Sequence, residues 1–347
     1  MITITYDEID WDSGEVTNLR VLDLIKYAEP SEESDFDYTI TQTDPSQPIP
    51  AWASPTNSQL HGPSLRPGSS NYIYWGTWTN GDLVAINTKR GDITKASYGE
   101  ISAHAHGFFF NPSGDKAIGA NYWFDTPAVG LYEFGGGAMP TSASKVYLDN
   151  GDGTFGSFSH YATWWDNRYA YVATMQLGPT SLSDEMVSGP GIYLIDALSK
   201  KATRVAGTSQ NKNDAGVWNS GSDAIIANGK LYVSEEKTLD GTFPQKTVGS
   251  VGVFRINPGN MSLLWIKRLS FGSDDGIPRG FGSGHGSSVA KSAKSAKSDG
   301  KEFVYVGSYT SNHILKIDTE TDTVVKFWGE SDGLSAPHGG FACGSSR

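Results

Sequence analysis

Short β-rich runs that end in turn signals recur along the chain, and this repetition limits the possible folds more than any other feature. One run of each unit is hydrophobic and ends in Asp or Asn, as at 191–196 (GIYLID), 251–257 (VGVFRIN) and 313–318 (HILKID). An Asp or Asn side chain at that place accepts hydrogen bonds from the backbone ahead of it and closes a turn. Such units bury their apolar faces only against their neighbours, which predicts a repeat architecture.

A dipeptide that opens the preceding strand of each unit sets the period. The six dipeptides are His61-Gly62, His106-Gly107, His160-Tyr161, Ser220-Gly221, His285-Gly286 and His338-Gly339. Successive openings are 45, 54, 60, 65 and 53 residues apart, which suits four short strands plus variable loops. The sequence therefore predicts an all-β protein, a β-propeller of six blades whose innermost strands begin with these dipeptides.

Both ends of the chain are needed to complete the ring of a single domain over 1–347. The C-terminal opening at 338–347 has no strand after it, whereas 1–43 supplies three strands without an innermost one, so together they predict the closing blade. Seven blades are the alternative, if the first two strands form only an outer hairpin. Residues 44–60 are expected to form a loop, and the Lys/Ser/Ala-rich segment 290–300 a solvated hairpin tip.

Composition excludes several partners and sites. The 347 residues carry 27 Lys and Arg against 38 Asp and Glu, a net charge of -11, which argues against a nucleic-acid backbone as partner. The single cysteine, Cys343, excludes an internal disulfide or a cysteine-based metal site. No apolar run is long enough for a membrane span. The N-terminus does not resemble a signal peptide, so either the protein is not exported or its signal peptide is absent from this sequence; the high Gly, Ser and Trp content favours a secreted or periplasmic protein.

The segment 304–325 (VYVGSYTSNHILKIDTETDTVV), followed by 336–340 (APHGG), resembles a repeat of the YVTN-type β-propellers. A looser match is 106–117 (HGFFFNPSGDKA). The resemblance covers most of the chain at the level of the repeat and implies the propeller fold. Because propellers of that type include lactonases, lyases, metal oxidases and binding modules, it implies no single function.

If the register is shared, the opening histidines converge at one end of the propeller axis. The predicted metal ligands are His61, His106, His160, His285 and His338. Imidazole is a common transition-metal ligand, so Cu, Fe or Zn is expected there rather than Ca²⁺. Three or four would bind, with His61 or His104 as an outer residue or proton shuttle. The alternative is structural: the glycines allow close backbone approach, and the histidines line a water-filled channel.

The ends of the second strands lie on the same predicted face and supply a substrate rim. The predicted substrate-binding residues are Trp75, Trp78, Tyr122, Trp123 and Tyr309. These aromatic residues suit a sugar or an aromatic molecule, and they suit a propeller core equally well. Glu235 is the candidate carboxylate, as a further ligand or a general base. Arg279 either binds a substrate carboxylate or pairs with Asp274 or Asp275 to fix its own loop.

Three functions follow from these residues. The first is a metal-dependent enzyme that performs redox or oxygen chemistry on a small apolar or aromatic molecule. The second is a lyase acting on an acidic polysaccharide, with His160 or Tyr161 as base and Arg279 neutralising a sugar carboxylate. The third is a non-enzymatic propeller that binds a carbohydrate or a protein.

Overall fold

The computed structural model describes residues 3–9, 16–23, 60–68, 72–77, 82–87, 93–101, 105–121, 126–175, 190–207, 221–238, 247–270, 277, 287–291, 301–308 and 311–332. Almost all regular structure in these ranges is β-strand. The first two strands, β1 (Thr3–Ile9) and β2 (Val16–Asp23), pair with each other in an antiparallel sheet. The remaining strands form five four-stranded sheets, each built from one continuous stretch of chain.

The five sheets are numbered as blades 1 to 5 in chain order. Blade 1 consists of β3 (Leu60–Leu65), β4 (Tyr72–Thr77), β5 (Asp82–Asn87) and β6 (Ile93–Ser97). Blade 2 consists of β7 (Ala105–Phe110), β8 (Lys116–Asn121), β9 (Ala128–Phe134) and β10 (Pro140–Tyr147). Blade 3 consists of β11 (Phe158–Trp164), β12 (Tyr169–Met175), β13 (Ile192–Asp196) and β14 (Lys201–Ala206).

Blade 4 consists of β15 (Gly221–Ala227), β16 (Lys230–Thr238), β17 (Thr247–Ile256) and β18 (Leu263–Ser270). Blade 5 consists of β19 (Ser287–Lys291), β20 (Glu302–Ser308), β21 (His313–Asp318) and β22 (Thr323–Trp328). Within every blade the strands pair antiparallel in sequence order. The first strands of consecutive blades contact each other in turn, β3 with β7, β7 with β11, β11 with β15 and β15 with β19. They are therefore the innermost strands, and the predicted β-propeller is confirmed.

The turn chemistry expected from the sequence closes the hairpins between third and fourth strands. In blade 3 the Asp196 carboxylate accepts the backbone N–H groups of Leu198 and Ser199. In blade 5 the Asp318 carboxylate accepts those of Glu320 and Thr321 in the same way. An Asx turn at this place ends the strand and satisfies backbone donors that the ladder no longer pairs.

The hydrophobic core lies between the blades. Ile118 and Leu131 of blade 2 pack in one cluster with Val172 and Ile195 of blade 3, all fully buried. Other clusters join blades 1 and 2, blades 3 and 4, and blades 4 and 5. Because blades 2, 3 and 4 are covered on both faces by their neighbours, their strands are buried on both sides at their centres.

A tyrosine in the second strand of three blades reaches the outer turn of the next blade. The Tyr74 hydroxyl donates to the Ala138 carbonyl at 2.6 Å, and the Tyr171 hydroxyl donates to the Met261 carbonyl at 2.8 Å. The Tyr232 hydroxyl donates to the Asp322 carboxylate at 2.6 Å. These bonds pair buried phenols across blade boundaries, so blades 1, 3 and 4 are each tied to the next blade.

The contact made by Asp322 is the strongest of the three. Its carboxylate also accepts a hydrogen bond from the Lys230 ammonium at 2.7 Å. We expect Asp322→Asn to lower the free energy of unfolding by about 1–3 kcal/mol, the usual contribution of hydrogen bonds to charged groups. Asn tolerates the left-handed backbone that Asp322 adopts (φ 51°), so the loss reports the charge and hydrogen bonds of the carboxylate rather than backbone strain. Chemical denaturation measures it, and a change under about 0.3 kcal/mol would contradict this role for the carboxylate.

The β1–β2 sheet has the register of the middle strands of a blade. Thr3 pairs with Asp23 at the Asp-terminated end of β2, as Tyr169 pairs with Asp196 between the second and third strands of blade 3. Residues 24–43 and 338–347 lie outside the described residues, so closure itself stays a prediction.

Two predicted boundaries shift slightly. Leu60 is the first residue of β3 rather than the last residue of a loop. At the other end, β19 continues through Ala290 to Lys291, which pairs with Glu302. Ala290 and Lys291 extend the hairpin of β19 and β20, because both residues have pairing partners on β20. The rest of the predicted tip, 292–300, lies outside the described residues.

Candidate functional site

The ladder between the first two strands shows whether the opening dipeptides share a position. On the second strand of each blade, the residue that corresponds from blade to blade is identified by its pairing with the third strand. In blades 1 to 5 these residues are Tyr74, Ile118, Tyr171, Tyr232 and Tyr305. Their partners on the innermost strands are Ser64, Phe109, Thr163, Ile225 and Ser288. We call the residue three places before each of these partners the opening position.

Histidine occupies the opening position in most blades. The residues at this position in blades 1 to 4 are His61, His106, His160 and Ser222. For His61 and His106 the structure describes the backbone alone. His285, His338 and His104 lie outside the described residues. The shared register that the sequence predicted therefore holds for three consecutive histidines.

Blade 4 differs from the prediction. The sequence placed Ser220 and Gly221 in the opening dipeptide, whereas the ladder pairs Gly221 with Glu235 and places Ser222 at the opening position. Asp223 then takes the place that glycine or tyrosine has in the other blades. The sequence misplaced the dipeptide because serine and glycine are frequent here and carry no strand signal of their own.

A β-bulge accompanies the opening position in each of blades 1 to 4. In blade 3, Ser159 pairs with Thr174 and Thr163 pairs with Tyr171, which leaves one more residue on the innermost strand than on its partner. The same extra residue occurs at the same level of the other three blades. A bulge re-aims the side chains around it and is common beside functional sites. Because the bulge recurs, the opening residues of blades 1 to 4 share the same local irregularity of the backbone.

His160 shows the surroundings of one opening residue in full. Its side chain is almost completely buried (2% exposed), and its Nδ1 lies 3.5 Å from the Oδ1 of Asp223 in the next blade. Asp223 is itself 0% exposed. A buried carboxylate is costly unless charge or hydrogen bonds compensate it. The two side chains therefore form a buried contact across the boundary between blades 3 and 4.

Side-chain hydroxyls fix the two strands that carry this pair. The backbone N–H of Asp223 donates to the Ser234 hydroxyl at 3.0 Å, which replaces a ladder bond at the bulge. Next to His160, the Ser159 hydroxyl donates to the Ala128 carbonyl of blade 2 at 3.1 Å. Both hydroxyls are buried. The backbone on either side of the contact is consequently anchored to its neighbours.

Tyr161 lies next to His160 and turns toward blade 2. Its ring packs against Phe109 with centroids 4.1 Å apart. Burial, and secondly the negative charge of Asp223, raise the pKa of the Tyr161 phenol well above its usual value. Since a raised pKa makes the phenolate harder to form, Tyr161 neither gives up its proton readily nor is present as a basic phenolate, and a packing role suits it best.

The other predicted site residues are only partly described. Glu235 lies inside β16, rather than at its end, and pairs with Gly221 beside the opening position of blade 4. Trp75 lies in β4 next to Tyr74. The structure describes the backbone of both residues but not their side chains. The remaining candidates, which lie outside the described residues, are Trp78, Tyr122, Trp123, Arg279 and Tyr309.

Among the described side chains, no group of three or more His, Cys, Asp or Glu residues is arranged to hold a metal ion. Of the seven histidines, only His160 and His313 have described side chains. His313 lies at the start of the third strand of blade 5, with its ring 6.0 Å from that of Phe327 on the outermost strand. It is therefore separate from the opening positions. In the described part of the chain, no helix is both long and apolar enough to cross a membrane.

Asp223 is the residue that sequence reasoning missed. It stands directly before the apolar run Ala224-Ile-Ile-Ala, where a charged residue in a predicted buried strand needs a partner. That signal was present, but the partner is 63 residues earlier in the chain, and only the blade arrangement identifies it.

Comparison with known proteins shows the fold. No family model matches the chain, and no curated protein matches it. Among solved structures, hydrazine synthase of Kuenenia stuttgartiensis is similar over 81% of this chain and 76% of that one, with 11% identity and a TM-score of 0.50. U3-55K is similar over 79% of this chain and 65% of that one, with 8% identity and a TM-score of 0.50. The β-propeller domain of Cps50 (Swd1) of Myceliophteria thermophila is similar over 82% and 75% of the two chains, with 10% identity and a TM-score of 0.49. Identities this low carry no functional assignment.

Proposed function

We propose that this chain is a metal-dependent propeller enzyme that binds a transition metal ion with histidines of its innermost strands. The observation that carries the proposal is the common opening position of His61, His106 and His160 in three consecutive blades. Rotation from blade to blade gives equivalent positions equivalent distances from the axis, so side chains at this position approach one another. His285 and His338, by sequence pattern, extend the set.

The chemistry of the donors favours copper, iron or zinc. Neutral imidazoles bind these ions well, whereas Ca²⁺ requires six to eight oxygen ligands. Three or four of the histidines would hold the ion and leave a position for substrate. His160 fits this role, because it is buried at the opening position with its Nδ1 3.5 Å from the Asp223 carboxylate of the next blade.

A bound copper or iron ion would supply electron transfer and Lewis acidity, and the protein would supply binding and orientation. The aromatic rim of Trp75, Trp78 and Tyr122, with Trp123 and Tyr309, would hold a small apolar or aromatic substrate by its faces. Glu235 pairs beside the opening position of blade 4, where a carboxylate would accept a proton from the substrate. The proposal also includes a relationship to the YVTN-type β-propellers and a secreted or periplasmic location.

The buried His160–Asp223 pair also favours a second candidate, a lyase on an acidic polysaccharide. A histidine oriented by a carboxylate is a common general base. In that reaction His160 would remove the proton and return it to the leaving group, and Arg279 would neutralise the sugar carboxylate. An ultraviolet assay for unsaturated products from anionic polysaccharides separates this candidate from the first.

Metal content is the decisive measurement for the proposed function. The protein is purified without a histidine tag, stripped with a chelator and titrated separately with Cu²⁺, Fe²⁺ and Zn²⁺, with elemental analysis after gel filtration. We expect close to one equivalent of a single metal per chain. Less than roughly a tenth of an equivalent of every metal would overturn the proposal. A metal-free protein without lyase activity would then be a binding propeller.

A further inference from the structure

Each of blades 1 to 5 carries a cation at or beside the hairpin that joins its first two strands. In blades 2 to 5 that cation contacts a carboxylate. The pairs are Lys116 with Asp115 at 3.1 Å, Arg168 with Asp196 at 2.7 Å, Lys230 with Asp322 at 2.7 Å and Lys301 with Glu320 at 2.9 Å. In blade 1 the cation is Arg66, and among the described residues no carboxylate contacts it. Arg66 is therefore the exception in a repeated arrangement.

Backbone carbonyls hold the Arg66 guanidinium in place of a carboxylate. Its Nε donates to the Gly114 carbonyl at 2.7 Å, and its two terminal nitrogens donate to the Gly137 and Gly135 carbonyls at 2.7 and 2.8 Å. One face of the guanidinium lies 4.7 Å from the centre of the Phe134 ring. Carbonyls fix the position of a guanidinium without neutralising its charge, and its five N–H groups exceed these three bonds. Arg66 is consequently a fixed cation that can still bind an anion.

The outer turn of blade 2 explains why the carboxylate is missing. In blade 5 the turn between the third and fourth strands supplies Asp322, which accepts the Lys230 ammonium of the preceding blade. The same turn of blade 2 is 135–139 (GGGAM) and carries no charged residue. It occupies the corresponding place, because the Tyr74 hydroxyl of the preceding blade donates to its Ala138 carbonyl. Where blade 5 presents a carboxylate to its neighbour, blade 2 presents only backbone.

A cleft lies beside Arg66 where that carboxylate is missing. Its volume is about 420 Å³, within the roughly 300–1,000 Å³ that is typical of small-molecule sites. Arg66 is the only charged residue among the described residues that line it, and the turn 136–138 forms another part of the lining. Tyr72 also lines the cleft, and its hydroxyl donates to no described residue. The cleft thus combines a fixed positive charge with a second hydrogen-bond donor.

We propose that this cleft binds a small organic anion, whose carboxylate or phosphate group lies beside Arg66 as Asp322 lies beside Lys230. A guanidinium that the fold has already positioned binds such groups by charge-assisted hydrogen bonds and loses little entropy in doing so. Arg66 directly follows the last residue of β3, whereas the opening position is near the start of that strand. The inference goes beyond the proposed function and does not depend on a metal ion.

The first test is calorimetric titration of the chelator-stripped protein at low ionic strength, where charges are weakly screened. Glucuronate carries a carboxylate, glucose 6-phosphate carries a phosphate, and glucose is the uncharged control. We expect at least one of the two anions to bind with a dissociation constant below about 1 mM, and the tighter of them identifies the preferred group. No binding of either anion, or equal binding of glucose, would overturn the inference.

The second test supplies the missing carboxylate from the protein itself. A Cβ added at Gly137 would meet no atom within 4 Å, and the backbone there is not in the left-handed region, so a side chain is tolerated. Gly137→Asp should weaken anion binding about tenfold or more, because its carboxylate competes for the guanidinium. The matched control is Gly137→Asn, which has a similar size without the charge and should change the affinity less than about threefold. Equal affinity in the two variants would contradict the proposed site.

The third test removes the guanidinium. Arg66→Gln should abolish measurable anion binding, whereas Arg168→Gln should leave it unchanged, because Arg168 is already paired with Asp196 at the corresponding hairpin of blade 3. Equal losses in the two variants would indicate nonspecific attraction to surface cations and overturn the inference. Arg66 also ties blade 1 to blade 2. If its variant fails to fold, the comparison of Gly137→Asp with Gly137→Asn decides the outcome.

Discussion

His106→Ala should abolish stoichiometric binding of transition metal, with a loss of affinity greater than the roughly 100-fold expected for an outer partner. His106 occupies the opening position of blade 2, between the opening histidines of blades 1 and 3. Removing one of three or four ligands leaves an incomplete site, so both occupancy and any metal-dependent activity should fall together. Elemental analysis and chelator competition on the untagged protein measure the loss.

The matched control for this prediction is His313→Ala. His313 lies on the third strand of blade 5, beside Phe327 on the outermost strand, so its loss should leave metal affinity unchanged. An equal effect of the two substitutions would indicate binding by scattered surface imidazoles. Metal binding that persists at full affinity in His106→Ala would remove blade 2 from the site.

Deleting 338–347 should destabilise the protein more than any single substitution. If this segment is the innermost strand of the closing blade, its loss exposes the edge of β1 and the inner faces of two blades to water. Loss of one buried strand costs on the order of 5 kcal/mol through its apolar side chains. We expect a fall in Tm of about 10 °C or more, together with faster hydrogen exchange in β1 (Thr3–Ile9).

A shorter deletion serves as the control for the closing strand. Removing 344–347 alone takes away only Gly, Ser and Arg residues after Cys343 and should leave the Tm unchanged. If the longer deletion also leaves the Tm and the exchange of β1 unchanged, another segment closes the ring. The seven-bladed alternative would then be the better account.

Much of the fold could be predicted because each repeat unit carries its own local sequence signals. Asp196 and Asp318 close their turns with their own side chains, a property of each short segment that needs no distant partner. The opening histidines were found in the same way, by their equal distance from a recognisable strand. Where the local signal was weak, as at Ser220, the prediction was two residues away from the position that the ladder assigns.

By itself, the sequence determined most of the strands, the Asx turns and the opening histidines of blades 1 to 3, because these depend on spacing within one unit. Only the tertiary structure decided that a bulge recurs at each opening in blades 1 to 4 and that Asp223 lies against His160. The physical reason is that contacts between blades are set by rotation about a common axis. Residues far apart in the chain become neighbours there, and the sequence of one segment does not indicate which residue of the other segment it contacts.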